Sequence, residues 1–311
     1  MPTVPPYTIA DITSELIVPD IVKRVYQMVK EYPPLADQLL GVERTNSQTV
    51  QYPKRYVKPL LAEEMARGTE PRSIMEEYGL ETITLKRYGI AFDYDIEVLE
   101  GRQIPDVVED ASETMVNAFK NRREVVALKE ITNFDKYSDT EWGIQKLSAP
   151  GTKWDSGGSP FDDLLNAVEK FQDHALTKPD TLLVSPSVYT TLLKDEDIRD
   201  TLKYTGKLLG GNIPSILDMD VVSVQTLGED GKNILGDNVV LMKRGRETGV
   251  LLTWPGLKND EKQVISRELG LKMWMVYDST LEFRKIMMTM HLGAHLYRPY
   301  NITVIPDVLS G

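Results

Sequence analysis

Residues 105–132 read PDVVEDASETMVNAFKNRREVVALKEIT, and nothing in these 28 residues breaks a helix after Pro105. Proline is at home in a first helical turn, where its missing N–H costs nothing. Asp106, Glu109, Asp110 and Glu113 crowd the beginning, and Lys120, Arg122, Arg123 and Lys129 come later. The helix dipole favours that order of charge. Val108, Ala111, Met115, Ala118, Phe119, Val126 and Leu128 keep to one side, with Arg122 and Arg123 interrupting the stripe. Asn133 is placed to end the helix in a left-handed conformation. At about 1.5 Å per residue the element is on the order of 40 Å long, the length of a spine. The plainer alternative is an ordinary core helix of a globular enzyme.

Working outward, the 311-residue chain has room for two or three cores. With 41% hydrophobic and 27% charged residues its composition is that of a folded protein. It contains no cysteine, which excludes disulfides and cysteine metal sites and suits a reducing compartment. No apolar run approaches about 18 residues, so no membrane span is expected. The start, MPTVPPYTIADI, lacks the pattern of a signal peptide. A net charge of −11 argues against a general nucleic-acid binder, because phosphate contacts need basic patches. The charge is uneven: residues 1–60 carry seven basic and six acidic side chains, residues 61–100 four and ten. Such polarity fits contacts through particular faces, including contacts with further copies of the chain.

Upstream, a proline-rich arm leads to a short helix over Asp20–Glu31, stopped by Pro33 and Pro34, and then to the apolar segment LADQLLG. Residues 47–59 alternate Val50, Tyr52 and Tyr56 as a strand, and Pro53 places it at an edge. Its expected partner is ETITLKRYGIAFDYDIEV, residues 81–98, where the apolar parity switches beside Gly89 as at a bulge. About 20 residues separate the two strands, giving a long hairpin with an acidic tip. Such a ribbon is marginal alone. Lys54 and Arg55 on one strand and Lys86 and Arg87 on the other would repel if they met, unless an acidic partner intervened. The alternative is that they are ordinary solvated side chains.

Downstream, a Gly/Ser/Pro stretch at 156–160 marks a boundary. A helix from Ser159-Pro160, a strand at 181–185, a helix after Pro186 and strands at 220–224, 238–242 and 249–253 form a compact α/β unit. From about Val264 the chain is mostly strand; if these strands pair near the long helix they complete its domain, and the middle is then an insertion.

Catalytic signatures are absent. GKLL at 206–209 fails as a phosphate loop: Thr201 stands where the first glycine belongs, and Leu208 replaces the metal-binding hydroxyl. His291 and His295 share a face but lack the glutamate and third ligand of a zinc site, and His174 complements a helix end. Asp93/Asp95 and Asp195/Asp197 are acidic pairs of a kind expected by chance among 47 acidic residues. No catalytic, cofactor or metal residue is assigned.

The order of elements carries more than any motif. With IAFDYDIEVLEG before the helix, ETMVNAFKNRREVVAL within it, TLLVSPSVYTTLL after it, and LDMDVVSV followed by NVVLMKRG, the chain resembles the major capsid protein of tailed double-stranded DNA bacteriophages. The resemblance covers nearly all of it. It implies an α+β, Hong Kong 97-type fold: an N-terminal arm and short helix (1–46), an extended hairpin loop (47–98), a peripheral domain (99–155 and 264–311) with spine helix 105–132, and an α/β axial domain (156–263). It further implies a structural protein that self-assembles as pentamers and hexamers into an icosahedral shell around the genome, with no cofactor. Its partners would be itself, separate scaffolding, portal and cement proteins, and packaged DNA by weak non-specific contact. It would be assembled in the host cytoplasm and end in the virion capsid. The inter-subunit contact candidates are Lys54, Arg55, Lys86, Arg87, Asp106, Glu109, Asp110, Arg122 and Arg123, the basic arm meeting the acidic start of a neighbour's spine helix. The face bearing Tyr52, Tyr56, Ile83 and Leu85 would be buried on that neighbour. No coiled coil stands before residue 45, so scaffolding is expected from a removed segment or a separate protein. A lysine–asparagine crosslink, known in some members, would draw on Lys54, Lys58 or Lys86 and Asn301. Two other readings compete: an encapsulin-type compartment of the same fold, and an α/β enzyme with its site in 156–263.

Overall fold

The computed structural model describes residues 34–54, 79–95, 104–137, 143–204, 213–254, 264–266, 271–278 and 283–310. The expected arm helix at Asp20–Glu31, the acidic hairpin tip, Arg55, Tyr56, Lys58 and the loop at 206–212 lie outside these residues. The chain forms two compact units, residues 1–50, 83–127 and 250–295 in the first and 51–82, 128–249 and 296–311 in the second.

The first unit is built on a six-stranded sheet. Strand β1 (Gly41–Arg44) runs parallel to β10 (Gly249–Trp254). The path continues through β13 (Phe283–Leu296) and β12 (Leu271–Asp278) to β11 (Val264–Ser266), and β4 (Lys86–Asp95) also pairs with β13. Helix α2 (Ile104–Ile131) confirms the long element read from the sequence. Its buried side differs from the expected stripe. Ala111, Met115, Phe119, Arg123, Ala127 and Ile131 are all buried at four-residue intervals, and Ala118 and Val126 are half-buried. Arg123 therefore lies within the buried row instead of interrupting it. Asn133 is not left-handed. Its Oδ1 accepts from the Lys136 N–H at 3.3 Å and caps the short helix α3 (Phe134–Tyr137).

The hairpin differs from expectation in its second half. Strand β2 (Thr49–Lys54) pairs with β3 (Gly79–Thr84) as a two-stranded sheet. The chain then breaks at Leu85, and β4 joins β13 in unbroken antiparallel register from Lys86↔Leu292 to Asp95↔Phe283. No bulge occurs at Gly89, which stands opposite Thr289. The change of parity comes from one strand ending and another starting in a different sheet.

The second unit carries a mixed sheet in the order β5 (Gln145–Lys146), β14 (Ile302–Ile305), β9 (Val239–Met242), β6 (Thr181–Val184), β8 (Met219–Ser223), β7 (Ser215–Ile216). Strands β6, β9 and β14 are buried on both faces, which is why they read as unbroken apolar runs. Helix α4 (Pro160–Ala175) starts at the Ser159 cap, whose Oγ accepts from the Asp162 N–H. It packs Leu164, Ala167 and Phe171 into the same core as Leu182, Val184 and Leu192. Helices α5 (Pro186–Lys194) and α6 (Glu196–Tyr204) follow, the second capped by Asp195 Oδ1, which accepts from the Ile198 N–H at 2.9 Å. Two apolar strands changed place relative to expectation. GVLLT, expected in the middle α/β unit, pairs in the first sheet, and the strand at 302–305, expected with the spine helix, pairs in the second. A four- or five-residue run buried on both faces carries no parity to say which sheet it enters.

Candidate assembly surfaces

The contact candidates fall on the base of the hairpin and on α2. Lys54 ends β2, and Asp106 and Glu109 lie in the first turns of α2. Asp110 is exposed there. Lys86 and Arg87 open β4, are exposed, and stand opposite Leu292 and His291 on β13. Because β4 left the hairpin, Lys86 and Arg87 are not ladder partners of Lys54. Neither Lys86 nor Arg87 makes an ion pair among the described residues. Across the ladder, the His291 ring packs edge-on against Trp254, centroids 4.8 Å apart. Burial first, and then Arg87 and Lys272, hold that imidazole below the ordinary histidine value.

The two arginines of α2 are met within the chain. The Arg122 guanidinium lies over the Tyr88 ring, 4.4 Å from its centroid. Arg123 is 1% exposed, and its Nε and Nη2 both donate to Asp37 Oδ1, at 3.1 and 2.6 Å. Asp37 belongs to the short helix α1 (Leu35–Leu39), whose Leu35 N–H also donates to Glu124 at 3.1 Å. Burial pushes the Asp37 carboxyl above the usual carboxylate range despite Arg123, and it pulls Arg123 the other way. Desolvation thus outweighs attraction, and the pair fixes where α1 lies more than it adds net stability. This corrects the expectation for Arg123, which is spent inside its own subunit.

Sequence reasoning missed a second cluster. Lys136 Nζ reaches Glu81 on β3 at 3.0 Å and also Glu130 on α2, while the Tyr137 hydroxyl donates to Glu130 at 2.5 Å. Burial opposes the Lys136 charge, but the Glu130 and Glu81 carboxylates together hold it above the ordinary lysine value. Burial and Glu130 push the Tyr137 hydroxyl far upward. The i+6 and i+7 spacing from Glu130 was visible in the sequence, but the reach to Glu81, far along the chain, was not.

The inward face of the hairpin base is also satisfied at home. Tyr52 packs on Tyr297 with ring centroids 5.7 Å apart. Ile83 and Leu85 are buried, and a Cβ added at Gly293 would lie 3.6 and 3.7 Å from their side chains, in ordinary van der Waals contact. These side chains are therefore not the ones a neighbour would cover. The outward face, Gln51, Leu80, Thr82 and Thr84, is exposed, Leu80 by 65%.

Elsewhere, His174 Nε2 lies 3.1 Å from the Gly143 carbonyl, and His295 is buried. Asn301 is buried too, its amide donating to Thr248 Oγ1 at 3.4 Å, so a crosslink at that position would require it to turn outward. Among the described residues no group of three or more His, Asp or Glu side chains could hold a metal ion, and no helix is long and apolar enough to cross a membrane.

Comparison with known proteins agrees with this architecture. The capsid of the cyanophage P-SCSP1u is 13% identical and superposes with a TM-score of 0.65, over 87% of each chain. A phage-related protein from Bordetella bronchiseptica RB50 is also 13% identical, with a TM-score of 0.62 over 93% of this chain and 97% of that one. The SrpI encapsulin of Synechococcus elongatus is 12% identical, TM-score 0.51, over 86% and 84%. At such identities these likenesses establish the fold. No curated protein sequence matches the chain. The sequence model of the phage capsid protein family matches residues 79–277, from the second hairpin strand through the spine helix to β12. The chain belongs to the phage capsid protein family and is a structural capsid protein with the Hong Kong 97-type fold.

Proposed function

We propose that many copies assemble as pentamers and hexamers into an icosahedral shell that encloses a phage's double-stranded DNA genome. The family match over residues 79–277 carries this reading, because it spans the second hairpin strand, the spine helix and residues 128–249 of the second unit together. Outside the arm and the extended loop, the first unit, with the spine helix, acts as the peripheral domain and the second as the axial domain, β14 going with the latter. Residues 1–46 act as the arm and 47–98 as the extended loop. Lys54, Arg55, Lys86 and Arg87 meet carboxylates of neighbouring subunits, Asp106, Glu109 and Asp110 among the candidates, while Arg122 and Arg123 act within the subunit. Complementary charge across such rims steers encounter and register more than it adds affinity. The net charge of −11 keeps contact with packaged DNA weak and non-specific. Portal, scaffolding and cement functions fall to other proteins, and assembly takes place in the host cytoplasm before the protein ends in the virion.

Size-exclusion chromatography with electron microscopy of the purified protein tests the reading. Shells or capsomers support it, and a small oligomer under all conditions overturns it. The likeness to an encapsulin raises the second reading, a compartment for cargo protein. Nuclease-protected DNA in particles from infected cells supports the phage shell, and protein cargo in its place supports the compartment.

A further inference from the structure

Strand β4 is ten residues long; β13 takes one of its edges, and no described strand takes the other. An edge of this length is a template for another chain unless it is guarded by charge, proline or a bulge. The middle of β4 has no such guard. Gly89, Ala91 and Phe92 are exposed and Ile90 is half-buried, and the register is unbroken. Charge stands only towards the ends, basic at Lys86 and Arg87 and acidic at Asp93 and Asp95.

That distribution is self-complementary in one arrangement. If β4 meets β4 of a second copy antiparallel about Ile90, Arg87 stands opposite Asp93, Tyr88 opposite Phe92, Gly89 opposite Ala91, and Ile90 opposite itself. All four pairs are favourable or neutral by cross-strand rules, whereas a parallel pairing in the same register sets like charges side by side. Within its own sheet Arg87 faces His291, which offers it no negative charge, and Asp93 is already opposite Lys285. A second basic neighbour would extend that alternation.

We propose that the edge of β4 away from β13 pairs antiparallel with β4 of a second copy across a two-fold axis, making one continuous sheet through two subunits. Such a contact is isologous. Adjacent subunits of a five- or six-membered ring meet head to tail and not about a two-fold, so the contact joins neighbouring capsomers. The inference rests on the shell reading above and names the acidic partner of Arg87.

The absence of cysteine makes the test direct. Directly opposed Cα atoms of an antiparallel pair lie about 4.5–5.5 Å apart, within the range a disulfide spans. Assembled Ile90→Cys particles, mildly oxidised, should run as dimers on a non-reducing gel, while Thr82→Cys particles should stay monomeric. In parallel, Arg87→Asp and Asp93→Arg should each lower particle yield several-fold, and the double variant should recover most of it. Particles that form normally but give no Ile90→Cys dimer overturn the pairing and leave the shell reading intact. So does a double variant no better than the singles, or a crosslink from Ile90→Cys to a different segment. If the unaltered chain makes no particles, the shell reading fails first.

Discussion

Removing Asp37 tests how the spine helix is anchored. In Asp37→Ala the Arg123 guanidinium stays 1% exposed with its carboxylate gone. Breaking a buried pair from one side costs about 3–5 kcal/mol, because a desolvated charge loses its counter-ion. The Leu35 N–H to Glu124 contact still holds α1 and moves the expectation to the lower end of that range. Against a total domain stability of about 5–15 kcal/mol this is a large fraction. At about 2–4 °C per kcal/mol, the melting temperature should fall by on the order of 10 °C. The double variant Asp37→Leu, Arg123→Met removes both charges and should recover most of the loss, since desolvation dominates the pair. Calorimetric melting of the three proteins at one pH gives the comparison. A single variant within about 1 kcal/mol of the parent, or a double variant no better than the single, would refute the assignment of Arg123 as a buried internal anchor.

Three further outcomes follow from other parts of the molecule. Lys136 has a raised value in the folded state, so its contribution is fully present below the unfolded lysine value of about 10.4 and is lost as pH rises through the folded one. Lys136→Met should therefore melt lower than the parent at neutral pH, with the gap closing in strong alkali; a gap independent of pH contradicts this. Tyr137, held up by burial and Glu130, should be missing from an alkaline ultraviolet titration of the tyrosines, and Tyr137→Phe should leave the titrating amplitude unchanged. A Cβ at Gly158 would lie 2.4 Å from the Thr152 carbonyl oxygen, so Gly158→Ala should destabilise the second unit by more than 1 kcal/mol, whereas Gly151→Ala, with open space around it, should be neutral in denaturant unfolding.

Elements with strong local signals were legible in the sequence. The 28-residue helix announced itself through charge order and the absence of breakers, and α4 through the Ser159-Pro160 start. The order of hairpin, spine and α/β segment pointed to the capsid family. Long-range partnering was hidden. Nothing near Asp37 marks it as the counter-ion of Arg123, so a buried arginine read as a surface contact. Val250–Thr253 and Ile302–Ile305 are buried on both faces, so periodicity could not assign them to a sheet. The parity change near Gly89 marks the passage of the chain from one sheet to another and not a bulge, because both leave the same mark on alternation. The apolar parity of Tyr52, Ile83 and Leu85 signalled burial but not whose surface supplies it, and their own chain does.

The central claim is that this chain is a capsid subunit whose architecture serves assembly. Electron microscopy of the purified protein, combined with sedimentation, addresses it most directly. Closed shells or the rings that build them are expected, with α2 and the β2–β3 ribbon at contacts between copies. A chain that sediments only as a monomer or small oligomer under every assembly condition would contradict it.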